Sequence, residues 1–289
     1  MSIRISSNQI LDAGIQSMDN SLADAVNWQK KISSGNNYSK ASENAYAMSR
    51  GVRLEFDEAR LSMFKINQKF VDSSHSNAQS QLDSIINEMN TLKQTFVQSQ
   101  DGSLNTTNYA ALKTQAEQIR DAIADQMVAT DGTGKAIFED NVNQVQIEPN
   151  LLVSSGLTFS EAFGETAAYS SPTSSELYAK IDAFVTYLSE KATGRTSFTN
   201  SAATVSSGLD DAFDRLTEAQ QRSGGISAQV DNARLAITAI GTQVAATSSA
   251  LLDTDMAAAT AAYTRSQTLL NAAQAMFARL QQSNLFSKL

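Results

Sequence analysis

The chain is sparing with the residue types that do chemistry. Cysteine is absent and histidine occurs once, at His75. Disulfides, thiolate catalysis, cysteine-ligated metals and a multi-histidine metal site within one chain are therefore excluded. Carboxylate and backbone chemistry remain. Asp253 and Asp255 are spaced to share a cation or a proton, but no further carboxylate stands nearby in sequence to complete a set of oxygens. Capping of a helix that begins after them is the simpler role. Asp131-Gly132-Thr133-Gly134-Lys135 has the outline of a phosphate loop, yet that motif requires glycine at 129 and a hydroxyl residue at 136, and both positions are alanine. A helix-to-strand turn with both glycines at positive φ accounts for the segment. His75 falls in phase with an apolar stripe and reads as a partly buried, hydrogen-bonded core histidine. Asn37-Tyr38-Ser39 and Asn105-Thr106-Thr107 match the N-glycosylation pattern, which is frequent by chance, and carry no assigned role. No catalytic, cofactor-binding or metal-ligating residue is expected, and the chain reads as a non-enzyme.

The elements that hold these residues are helical. Leu11, Ile15, Met18, Leu22, Ala25, Gln29 and Ile32 step alternately by four and three residues, the stripe of an amphipathic helix, which ends at Ser33-Ser34-Gly35-Asn36-Asn37. Trp28 sits beside that stripe and is expected to face a second partner helix. A longer series runs Leu61, Phe64, Gln68, Val71, His75, Ala78, Leu82, Ile85, Met89, Leu92 and Phe96 without proline or glycine, predicting one helix from Ala45 to Gln98. Leu112 to Met127 predicts a third helix. Extended pieces are expected at Ala136–Phe138 and Val142–Ile147, bounded by Pro149-Asn150. Leu177, Ile181, Phe184 and Leu188 mark a fourth helix. Periodicity resumes at Leu209 and runs to Leu251, with the effect of Gly224-Gly225 left open. After Asp253-Thr254-Asp255 the last stripe reads Met256, Ala259, Tyr263, Ser266, Leu270, Ala273, Phe277 and Leu280.

The fold class expected is mainly α: an elongated helical bundle with heptad-patterned terminal helices and a small β-containing, Ser/Thr-rich middle region. Its parts are 1–40, an N-terminal assembly helix and loop; 41–130, a long-helix core; 131–207, a small mixed outer region; 208–252, a returning core helix; and 253–289, a C-terminal assembly helix. The 289 residues carry a net charge of −8, which argues against a general attraction to nucleic acid or anionic membrane. Met1-Ser2-Ile3-Arg4-Ile5-Ser6 does not resemble a cleavable secretory signal. No run approaches the roughly 18 uninterrupted apolar residues of a membrane span, so no membrane insertion is expected. Helices of this length gain little in water without partners for their stripes. The middle helices read as an intramolecular core, and the two end helices as intersubunit packing.

Both ends carry a family resemblance. Ile3-Arg4-Ile5-Ser6-Ser7-Asn8-Gln9-Ile10 resembles the opening of the flagellar hook-associated proteins of type 3, the distal hook-filament junction proteins of the flagellin superfamily. Lys31-Ile32-Ser33-Ser34-Gly35 with Ser39-Lys40-Ala41-Ser42-Glu43-Asn44-Ala45 resembles a loop shared by junction proteins and flagellins, and Ala41–Ala45 is nearer to the flagellins. Leu251 to Ala259 is similar to the shared C-terminal signature, and Leu285-Phe286-Ser287-Lys288-Leu289 to the junction-protein ending. Asp131 to Phe138 and Val145-Gln146-Ile147 resemble the turn and strand after the third helix of junction proteins.

The resemblance implies a secreted structural subunit at the hook-filament junction of the bacterial flagellum, without cofactors and exported unfolded through the flagellar type III channel. Its implied partners are copies of itself in a ring or tubular layer, the proximal junction protein (hook-associated protein type 1), flagellin, and a cytoplasmic export chaperone on the C-terminal helix. A short flagellin forming the filament itself is the alternative, and a secreted helical effector a remoter one. Leu11, Ile15, Met18, Leu22 and Ile32 are expected to pack with Leu270, Phe277, Leu280, Leu285 and Phe286 on assembly. Replacing Leu280 by Asp should abolish assembly and leave the middle helices folded; electron microscopy showing normal filaments on the mutant cells would overturn this.

Overall fold

A computed structural model of the chain describes residues 7–164 and 168–286. Among the described residues, seven α-helices and one two-stranded sheet make it a mainly α protein with a small β element: α1 (Ser7–Ser34), α2 (Ala45–Ser99), α3 (Thr106–Met127), β1 (Gln144–Glu148), β2 (Leu151–Ser154), α4 (Phe159–Phe163), α5 (Glu176–Ala192), α6 (Ala202–Leu252) and α7 (Met256–Phe286). The chain divides into two compact units, residues 1–60 with 240–289, and residues 61–239.

The second unit is built on the long stripe of α2. Leu61, Phe64, Gln68, Val71, His75, Ala78, Leu82, Ile85, Met89 and Leu92 are all buried, as the spacing predicts. Ala78 to Leu92 join α3 (Ala116, Ile123, Met127), α5 (Leu177, Ile181, Phe184, Leu188) and α6 (Leu209, Leu216) in the main apolar core. Phe138, Phe159 and Phe163 close one end of it, with ring centroids 4.9 and 4.8 Å apart in edge-on pairs. A smaller cluster holds Val71, Ile147, Val153, Val230 and Ala233 beneath the β-hairpin.

Several expectations need correction. Ala136 makes only an isolated bridge to Thr130, and β1 begins at Gln144 and pairs antiparallel with β2. Pro149-Asn150 is thus the turn of a hairpin and not the boundary of a lone strand. Four residues, Leu151 to Ser154, are too short for alternation to signal a strand, and pairing with β1 is what makes them one. Asn105 is the N-cap of α3, its side chain accepting from Asn108 N at 2.9 Å, so the helix starts a turn earlier than its first apolar residue. In the turn at 131–135, Gly134 has φ 84° while Gly132 does not take a positive φ. Asp131 Oδ1 accepts from Thr133 N, Thr133 Oγ1 and Lys135 N, which holds its carboxyl below the usual range and defines a turn. Helix α6 runs unbroken through Gly224-Gly225, since Ala219, Ser223, Val230 and Ala233 keep the same face buried on either side. Against the expectation of no membrane-competent segment, α6 contains an 18-residue stretch as apolar as a membrane span. Its Ala, Leu, Ile and Val residues raise the mean hydropathy although Thr, Ser, Gly and Gln break any uninterrupted apolar run.

Gly164, after α4, sits at φ 121° and ψ 155°, a region open to glycine, and a Cβ there would stand 2.8 Å from Glu176 Cβ. Gly164→Ala should therefore destabilise the second unit by about 1–3 kcal/mol. Denaturant unfolding followed by circular dichroism would read this as a lowered midpoint.

Candidate assembly interface

The first unit is held by a polar clasp at the ends of its helices. Gly35, at φ 72°, turns the chain out of α1. Its carbonyl accepts from Thr254 N at 2.8 Å, and Asn37 N donates to Leu252 O at 2.7 Å. Lys31 Nζ donates to Asn37 Oδ1 at 3.2 Å and lies 5.0 Å from the Trp28 ring centroid. Asp255 Oδ1 accepts from Ala257 N and Ala258 N, capping α7 as its spacing suggests. Asn44 Oδ1 accepts from Ala47 N at the start of α2, and the Glu43 carboxyl accepts from Ser39 N, which depresses its pKa. The clasp thus joins the Lys31–Gly35 and Leu251–Ala259 phrases through Gly35 and Asn37, while Ser39–Ala45 closes on itself and caps α2.

From the clasp, α1 and α7 run antiparallel, with Asn36 bridged to Asp253 at one end and Gly14 within 3.9 Å of Phe277 Cδ2, measured from a Cβ built on the glycine, toward the other. Burial on α1 recurs at Gly14, Met18, Ser21, Ala25, Trp28 and Ile32, again alternating four and three. On α7 it recurs at Ala259, Tyr263, Ser266, Leu270, Ala273 and Phe277. The α7 seam is the stripe read from sequence. On α1 the seam is turned slightly, with Gly14, Ser21 and Trp28 in place of Ile15, Leu22 and Gln29. Trp28 is therefore in phase with Ala25 and Ile32 and shares their seam. Small residues on both helices let the backbones approach, with Cα pairs inside 8 Å.

The large side chains are left outside. Ile15 is 42% exposed, Leu22 50%, Leu269 53%, Met276 64% and, on α2, Phe56 77%. Among the described residues of this unit, the buried hydrophobics are Ala25, Ala47, Leu54 and Ala259. The unit is therefore thinly covered: apart from Leu54 its buried hydrophobics are alanines, Trp28, Ile32, Leu270 and Phe277 are half-buried, and Ile15, Leu22, Phe56, Leu269 and Met276 face water. Of the residues assigned to assembly, Met18, Ile32, Leu270 and Phe277 are half-buried in or beside the α1–α7 seam and Ile15 and Leu22 are free on its outer face. The side chains of Leu11, Leu280, Leu285 and Phe286 lie outside the described ones, as do residues 1–6 and 287–289. No cluster of three or more His, Cys, Asp or Glu suited to a metal occurs among the described residues.

A helical unit built from the N- and C-terminal parts of the chain, with apolar side chains exposed on α1, α2 and α7, defines the class as a helical protein whose two terminal regions pack together. Residues 5–143 match the bacterial flagellin N-terminal helical region and residues 207–289 the C-terminal helical region. The chain belongs to the flagellin family. It is 26% identical over 136 residues to flagellar hook-associated protein 3 of Salmonella typhimurium, a match over 47% of this chain and 43% of that protein, so it spans less than half the length of the curated relative. The fold is shared with a Vibrio parahaemolyticus structure described as a flagellar hook-associated protein, at TM-score 0.63 and 17% identity, covering 72% of this chain and 99% of that one. A Legionella pneumophila flagellar junction protein superposes at TM-score 0.54 and 11% identity, over 71% of this chain and 100% of its own.

Two substitutions separate seam from outer face. Leu22→Asp should leave the isolated chain as helical as before and prevent its association. Ala25→Leu should instead overpack the seam at a cost of about 1–3 kcal/mol and reduce helicity. Circular dichroism and sedimentation velocity on each variant distinguish these outcomes.

Proposed function

We propose that this chain is a structural subunit joining the flagellar hook to the filament, exported and then assembled through the outer faces of α1 and α7. The observation that carries the reading is the thin coverage of the first unit, in a chain whose ends match the flagellin terminal regions. Ile15, Leu22, Val26, Phe56, Leu269 and Met276 are already partly covered, so burying the rest of each is worth about half of the roughly 1.5–3 kcal/mol that full burial supplies. That sum is comparable to the roughly 4–15 kcal/mol lost when two molecules associate. A single pairwise contact that covers part of this face barely breaks even, whereas a ring in which each copy has two neighbours covers more of it per subunit. Assembly is accordingly cooperative and closed by symmetry.

Similarity to proteins named for the hook and the junction supports the site at the hook-filament boundary, with hook-associated protein type 1 below, flagellin above and copies of the same chain alongside. The resemblance also supports export through the type III channel with a chaperone over the C-terminal helix, where an uncovered apolar face would otherwise associate prematurely. The chain's role is mechanical, and no step in it requires a cofactor or a reacting group.

Deleting the gene and examining cells and medium by electron microscopy and immunoblotting tests this. Hooks without filaments, with unpolymerised flagellin shed into the medium, are expected. Filaments that persist would overturn the junction role in favour of a filament subunit.

A further inference from the structure

The core of the second unit is interrupted by a polar layer. His75 is 0% exposed, as is Ser223 on α6, and the two lie between the main apolar cluster, which begins at Ala78, and the smaller one at Val71 and Val230 beneath the hairpin. His75 Nε2 is 3.2 Å from the Ser154 carbonyl on β2, and Nδ1 is 3.0 Å from Ser223 Oγ. A carbonyl only accepts, so Nε2 carries the proton of the neutral imidazole and the bare Nδ1 takes the Ser223 hydroxyl. Ser223 Oγ is also 3.2 Å from the His75 carbonyl and accepts from Gln79 Nε2 at 3.4 Å, while Gln79 Nε2 reaches Ser227 Oγ at 3.2 Å. One imidazole thus ties together α2, α6 and the hairpin.

We propose that this layer is an acid-sensitive latch: neutral His75 holds the β1–β2 hairpin and α6 on α2, and protonation of the imidazole loosens the hairpin first. A second proton would sit on Nδ1 and donate to Ser223 Oγ, whose own proton would turn to the His75 carbonyl. Each hydrogen bond keeps a partner, so the penalty of protonation is the burial of a charge. The charged groups around the layer do not neutralise it. Asp72 on α2 and Glu161 on α4 favour the imidazolium, but Arg234 of α6 lies 2.9 Å from Asp72 and Arg222 of α6 lies 2.8 Å from Glu161. From the hairpin, β2 presents the Ser154 carbonyl. Burial accordingly outweighs these attractions and lowers the imidazole pKa from its ordinary 6.5. The unfolded chain then binds the proton more readily than the folded one. Stability is complete above the ordinary histidine range and is lost as pH falls from there toward the lowered value. The hairpin yields first because five buried side chains hold its cluster, against the much larger core on the other side of the layer.

As the chain's one histidine, His75 can be read without interference. In the full chain, its Cε1–H resonance should titrate below 6.5. Between pH 7.5 and 5.0, exchange of the amides at 144–154, corrected for its intrinsic pH dependence, should accelerate relative to α3 and α5, by one decade for each unit of pKa difference traversed. His75→Gln should abolish that acceleration. Should this variant not fold, the midpoint of hairpin loosening in the wild type decides: coincidence with the His75 titration supports the latch. A midpoint in the carboxylate range, equal acceleration in His75→Gln, or a His75 titrating at or above 6.5 overturns it.

Discussion

The close approach of α1 to α7 constrains everything that the first unit can do. Two helices whose backbones come this near must put glycine, alanine and serine between them, and Gly14, Ser21, Ala25, Ala259 and Ser266 occupy that seam. Larger side chains alternate with them in the seam, and Ile15, Leu22, Leu269 and Met276 stand outside it. Met18, Trp28, Ile32, Tyr263, Leu270 and Phe277 are only half-buried in that seam, and the main-chain hydrogen bonds around Gly35 and Thr254 add to the pairing of the helices. What remains on the outside includes the apolar side chains of Ile15, Leu22, Leu269 and Met276.

The second unit solves the opposite problem. Its α2 stripe is covered by α3, α5 and α6 within the chain, and its large side chains are the ones buried. Such a unit has its own core and needs no partner to hold it. The division of labour follows from how fully the bulk on each helix is covered: by the chain itself in one unit, only in part in the other. Polar interruptions at Gln68 and His75 place side-chain hydrogen bonds to Ile147 O and Ser154 O on the same face, so the hairpin is seated by specific acceptors as well as by Val145, Ile147 and Val153.

The shared loop phrases gain a physical meaning from this arrangement. Gly35 supplies a left-handed residue, Asn37 returns a main-chain bond to the end of α6, Asn44 caps α2 and Asp255 caps α7. Substituting any of them would alter the path of the chain between helices before it altered any surface. That is the reason two segments more than 200 residues apart read as related signatures: they are the two sides of one junction.

Periodicity by itself determined the helical class, the span of α2 to within a residue, the burial of its stripe, the caps at Asp255 and the absence of cysteine and multi-histidine chemistry. These are local or compositional properties, and a four-three alternation of apolar residues has one reading over ten positions. Tertiary structure decided which of two overlapping stripes on α1 faces α7, since the stripes share Met18, Ala25 and Ile32 and differ by about half of a 100° residue step, and a rule that favours large residues selects Ile15 and Leu22 over Gly14 and Ser21. It likewise decided that Leu151–Ser154 is a strand and that Ser223 is the partner of His75, 148 positions away in sequence. Pairings across the chain depend on how closely two backbones approach, and that distance is a property of the folded whole.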